Sequence, residues 1–99
     1  MAKRIIWSEN AVQDRLRILD YWYKRTGTKS YSEKLNTEFI QSIKKLSLYP
    51  KIGRRLEDTD IRFIVKYHYQ IFYRYTVNEI RILHLWDSRR NPDDLIIEV

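Results

Sequence analysis

A chain of 99 residues with no cysteine excludes disulfide scaffolds and any metal site or nucleophile built on a thiolate. Its 43% hydrophobic content, with two glycines and two prolines, fits a single globular domain over residues 1–99 and excludes a disordered or repetitive chain. Nineteen lysines and arginines against 13 acidic residues leave a formal charge of +6, which attracts acidic or polyanionic partners.

The first element expected is a short strand, KRIIW, ending at Trp7. The start MAKRIIW lacks the apolar run of a secretory leader, and nothing later approaches the roughly 18 apolar residues of a membrane span. A cytoplasmic protein with no membrane partner is therefore expected. Ser8 has the chemistry of an N-cap, and Trp7 with Val12 has the spacing of a hydrophobic staple across it. Val12, Leu16, Leu19, Trp22 and Tyr23 then recur at helical spacing, while Gly27 supplies a residue free to take positive φ. These signals predict a helix over residues 8–26.

A second helix opens at SYSE, where Ser30 and Glu33 have the spacing of a capping box. Its core stripe is Leu35, Phe39, Ile43 and Leu46, and Pro50 ends it. The short connection makes the two helices an antiparallel hairpin. Residues 51–60, KIGRRLEDTD, read as a charged loop in which Glu57, Asp58 and Asp60 balance Arg54 and Arg55.

From Ile61 the hydrophobic period becomes two, giving strands at 61–65, at 69–76 and from Ile80, the last pair joined by a turn at Val77, Asn78 and Glu79. The expected fold class is α+β: N-terminal strand, antiparallel helix hairpin, then a three-stranded antiparallel meander, with the helices on one face of the sheet. The tail NPDDLIIEV starts like a helix cap but continues β-branched, and it takes no assignment.

The stretch YHYQIFYRY, residues 67–75, sets the two faces of the sheet. The more apolar set, Tyr69, Ile71, Tyr73 and Tyr75, belongs under the helices, leaving Gln70, Phe72 and Arg74 for the opposite face. Phe72 and Tyr67 are the only rings of the stretch placed to stack on a base. Arg62, Arg74, Arg89 and Arg90 are expected to form one basic surface, with Arg54 and Arg55 as mobile charges for an acidic partner. His84, alone inside a strand, reads as a hydrogen-bonded structural residue. With His68 far away in sequence and no cysteine, no metal and no cofactor is expected. No glycine-rich phosphate loop or nucleophile elbow is present.

Strand, helix hairpin and meander, with YQIFYR and ILHLWDSRRNP, resemble the RelE/ParE superfamily of type II toxin–antitoxin toxins from Ile5 to Leu95. The resemblance implies a toxin encoded beside a DNA-binding antitoxin that wraps and neutralises it. The RelE-like branch cleaves mRNA on the ribosome without metal, using an arginine where this chain has Gln70 and commonly a late tyrosine; no tyrosine follows Tyr75 here. The ParE-like branch, whose better-known members poison DNA gyrase, has a neutral residue at the Gln70 position and often ends its last strand with His-x-Arg-Arg. Asp87-Ser88-Arg89-Arg90 keeps the arginine pair and replaces the histidine. The chain is thus closer to the ParE-like branch. The expected contact residues for target or antitoxin are Arg54, Arg55, Arg62, Gln70, Phe72, Arg74, Asp87, Arg89 and Arg90, with no catalytic residue. The alternatives are a metal-independent endoribonuclease in which Arg62, His84, Arg89 and Arg90 substitute for the missing groups, and a toxin-fold binding protein without toxicity.

Overall fold

The computed structural model of the protein describes residues 2–90 and Leu95, so the unassigned tail lies outside it apart from that leucine. Chain order is β1 (Arg4–Trp7), α1 (Glu9–Thr26), α2 (Ser30–Leu48), β2 (Arg54–Arg55), β3 (Arg62–Lys66), β4 (Tyr69–Tyr75) and β5 (Glu79–Asp87). The strands form one mixed sheet in the order β1-β5-β4-β3-β2. β3, β4 and β5 are the expected antiparallel meander, and β1 joins it by pairing parallel to β5.

That parallel pairing needs a crossover: the helix hairpin carries the chain from β1 to the far edge strand β2, and β3 and β4 lead back to β5. Ser8 is the joint. Its Oγ accepts the Ala11 amide at 3.0 Å as the α1 cap and donates to the Leu83 carbonyl at 2.8 Å, which ties the helix start to β5. Gly27 ends α1 in the left-handed region at φ 75°. The Ser30–Glu33 box does not form: Lys29 is the N-cap residue, without a side-chain cap bond, and Ser30 is already helical. Val12 faces solvent, and Trp7 lies under the Arg15 guanidinium, 5.2 Å from the ring centroid.

The core under the helices contains Leu35, Phe39, Ile43 and Leu46 of α2, packed on Tyr69, Ile71 and Tyr73 of β4 and on Ile80, Ile82 and Leu85 of β5. The predicted helix face of β4 and the α2 stripe are both observed. The α1 stripe is rotated. Ala11 and Asp14 are buried and Ile18, Leu19 and Trp22 pack on the core, whereas Val12, Leu16 and Tyr23 are exposed at 41%, 57% and 44%.

The opposite face of the sheet is not bare. Ile61, Phe72, Leu83 and Trp86 form a second apolar cluster, joined by Leu56, Phe63 and Leu95. Phe72 points to the expected face but is 3% exposed, so it serves as a core residue and not as a stacking platform. Residues 51–60 also depart from a plain loop: Arg54 and Arg55 pair with Phe63 and Arg62 as a two-residue edge strand.

Candidate functional site

The arginine pair sits where β5 ends, beside the β3–β4 turn. Tyr67 and His68 form that two-residue turn, because Lys66 pairs with Tyr69. The Ser88 amide and Oγ both donate to the His68 carbonyl at 2.7 Å, which fastens the segment after β5 to the turn. Tyr67 has φ 56°, a left-handed conformation that is rare for an aromatic residue, and its ring is largely exposed.

A β-bulge shapes the floor beneath. Phe72 is opposite His84 and Tyr73 is opposite Ile82, which leaves Leu83 as the extra residue in β5. The buried carboxylate of Asp14 on α1 meets this irregularity. It bonds His84 Nδ1 at 2.7 Å, accepts the Leu85 amide at 3.1 Å and accepts Arg17 Nη2 at 2.6 Å. His84 is therefore a positioned structural residue, as expected, and its partner, Asp14, lies off the apolar stripe expected for α1. Its Nε2 is buried without a hydrogen-bond partner among the described residues.

Over that floor lies a pocket of about 300 Å³ between α1 and the end of β5. It is lined by Asp14, Arg17, Ile18 and Tyr21 from α1, Tyr69 from β4, and Leu85, Asp87, Arg89 and Arg90. Arg89 is clasped by Asp87, its Nε 3.0 Å and its Nη2 2.8 Å from the two carboxylate oxygens, and the Arg89 amide donates to the same group at 2.9 Å. The hydrogen bond from the Arg89 guanidinium holds the Asp87 pKa below its ordinary value, and Asp87 holds Arg89 still more firmly protonated. Arg90 stacks its guanidinium 4.4 Å from the Trp86 ring centroid. The Asp of Asp-Ser-Arg-Arg thus fixes the direction of one arginine, and Trp86 fixes the other.

The remaining sequence-predicted contacts are dispersed. Arg62 Nη1 donates to the carbonyls of Lys51 and Gly53, at 3.2 and 2.8 Å, so it braces the loop after α2 and does not join a surface with Arg89. It pairs with Tyr73, four residues along β4 from Tyr69, hence about 13 Å from the arginine end. Arg74 is ion-paired with Asp60, which had been read as balancing Arg54 and Arg55. Gln70 is half-buried between Val65 and Trp86 on its neighbouring strands. Arg54 and Arg55 are exposed on the edge strand, held in backbone pairing and not on a loop. Of the expected basic surface, only Arg89 and Arg90 meet in one pocket.

Sequence reasoning missed Asp14, Arg17 and Tyr21. Their spacing, with Ile18, marks one helix face, a signal that competed with the more apolar stripe one residue on. The four residues proposed for a nuclease are not assembled either, since Arg62 braces a distant loop and His84 lies beneath Asp14. Among the described residues no three histidine or acidic side chains gather as metal ligands, and no helix is long and apolar enough to cross a membrane.

A helix hairpin over one face of a mixed sheet, with paired arginines following β5, defines a small basic α+β protein. Residues 5–92 match the family described as ParE toxin of type II toxin-antitoxin system, parDE, and the chain belongs to that family. Its fold is similar to a solved chain from the chromosomal ParDE TA system from P. aeruginosa, with a TM-score of 0.72 and 20% identity over 85% of this chain and 94% of the other. No individually curated sequence matches it.

Proposed function

We propose that the protein is the toxin of a type II module in the cytoplasm, arrests growth by binding a macromolecular target, and is neutralised by a cognate antitoxin. The family match over residues 5–92 carries this reading. Membership implies DNA gyrase as the first target to test, and the similarity to a chain of a ParDE system supports an antitoxin as partner. The contact surface is the end of the sheet that bears Asp87, Arg89 and Arg90, with Arg54 and Arg55 on the far edge as a second charged contact. A +6 chain also draws an acidic segment toward it by long-range attraction.

The mechanism is occupancy rather than bond cleavage. Arginines give permanent charge and forked donors that recognise carboxylate or phosphate bidentately. The half-buried Gln70 amide offers no cation to stabilise phosphoryl transfer. Purified chain added to a gyrase supercoiling reaction should inhibit it, and its induction in a bacterial host should leave translated mRNA uncut in primer extension. Codon-phased cuts, abolished by Arg89→Ala, would replace this reading with the nuclease.

A further inference from the structure

We propose that the pocket between α1 and the end of β5 is a carboxylate site, accepting one aspartate or glutamate side chain of a protein partner. The inference rests on the reading of this end of the sheet as a contact surface, and it names the group that the surface grips.

Two guanidiniums, Arg17 and Arg89, and two carboxylates, Asp14 and Asp87, line the pocket, and Arg90 borders it with its guanidinium turned onto Trp86, so the five residues together carry a single formal positive charge. One incoming carboxylate neutralises it. Arg17 engages Asp14 through one nitrogen, and Arg89 engages Asp87 through two. A guanidinium carries five N–H donors, so both keep unused ones. The carboxylates behind them fix the forks in place, which lowers the ordering cost of gripping a further anion.

Tyr69 adds a neutral donor. Its Oη accepts from Trp22 Nε1 at 2.8 Å, leaving its own hydrogen for a ligand, and burial raises its pKa so that the hydroxyl keeps that hydrogen. Tyr21 packs edge-on against Trp22, with ring centroids 5.1 Å apart, and so presents a fixed wall. The remaining lining is Ile18 and Leu85.

Donors set over an apolar wall fit a carboxylate on a methylene stem. A nucleic-acid phosphate lies within its chain and not at the tip of a free apolar stem, and a backbone needs a continuous basic track to follow. Around the pocket that track is interrupted: Lys24 pairs with Asp20 at 2.9 Å and Lys66 with Glu38 at 3.0 Å, while Asp87 stands in the lining itself.

The test is an NMR titration of the purified ¹⁵N-labelled chain at fixed ionic strength, with N-acetylglutamate N-methylamide, its neutral glutamine analogue, and a thymidine dinucleotide as probes. The glutamate probe should give saturable shifts confined to Arg17, Tyr21, Tyr69 and Arg89. The glutamine analogue should give none, and Arg89→Gln, with an otherwise unchanged amide spectrum, should lose the saturation. Absent or scattered shifts, an equal response to glutamine, or a stronger response to the dinucleotide would overturn the proposal. Because the titration does not depend on toxicity, a chain that binds glutamate but fails to arrest growth refutes the toxin reading alone. A toxic chain whose pocket stays silent refutes the carboxylate site alone.

Discussion

Asp14 is one buried carboxylate with three different donors: an imidazole, a backbone amide in the bulged strand and a guanidinium at the pocket wall. Removing it leaves the Leu85 amide and His84 without their acceptor inside the protein. Asp14→Ala should therefore cost about 3 kcal/mol, within the range for buried donors stripped of an ionised partner, measured by urea denaturation. A loss below about 0.5 kcal/mol, the scale of a surface substitution, would show the acid to be solvated instead. Tyr67 poses the converse case. Its left-handed backbone suits Asn better than an aromatic residue, so Tyr67→Asn should raise stability by about 0.5 kcal/mol in the same assay. If the variant is instead clearly less stable, the Tyr67 ring contributes packing that outweighs its backbone strain.

At the level of elements, the sequence was most legible where one period ran unopposed. The α2 stripe and the tyrosine row of β4 each pointed to one face, and the structure buries that face in both cases. The stripe expected for α1 is only partly the buried one: Leu19 and Trp22 pack on the core, while Val12, Leu16 and Tyr23 stay outside. What decided otherwise was tertiary: Ala11 permits close approach to the sheet, and Asp14 finds donors that no single-helix pattern reveals. The edge strand Arg54–Arg55 was invisible because two arginines have no hydrophobic period, and its pairing comes from β3. Of the candidate site, the sequence pointed to the arginines but not to the pocket beside them, since the α1 wall comes from residues far away in sequence.

The same β4 row links element to stability. Tyr73 Oη donates to the Pro50 carbonyl at 2.7 Å and accepts the Gly53 amide at 3.0 Å, and a Cβ on Gly53 would fall 2.4 Å from that oxygen. Gly53→Ala should thus cost about 2 kcal/mol by overpacking, measured by thermal unfolding. Burial raises the pKa of both Tyr69 and Tyr73 above the ordinary 10.0. The folded state then holds these protons more tightly than the unfolded state. Their stabilising contribution is complete below pH 10.0 and is lost as pH rises through the folded-state values. The melting temperature should fall on the alkaline side of pH 10.0, and less steeply in Tyr73→Phe. An equal slope in that variant would mean that Tyr73 does not drive the loss.

For the whole molecule, ion pairs hold Arg17, Arg74 and Arg89 in place on a chain of formal charge +6, and the proposed contact surface rests on Arg89 and Arg90. Arg89 and Arg90 lie on the exposed end of the sheet, so removing both should change folding by only about 0.5 kcal/mol, whereas a pair at a binding interface is worth roughly 2 kcal/mol or more. The decisive measurement is growth after induction of the wild-type chain and of the Arg89→Ala, Arg90→Ala variant in a bacterial host, with both melting temperatures recorded. Ile71→Asp, which places a charge in the core, serves as the unfolded control. The wild-type chain should arrest growth, and the double variant should melt like it yet permit growth. A double variant that melts like wild type and remains fully toxic would contradict the assignment of this surface, and a wild-type chain that leaves growth untouched would contradict the toxin reading itself.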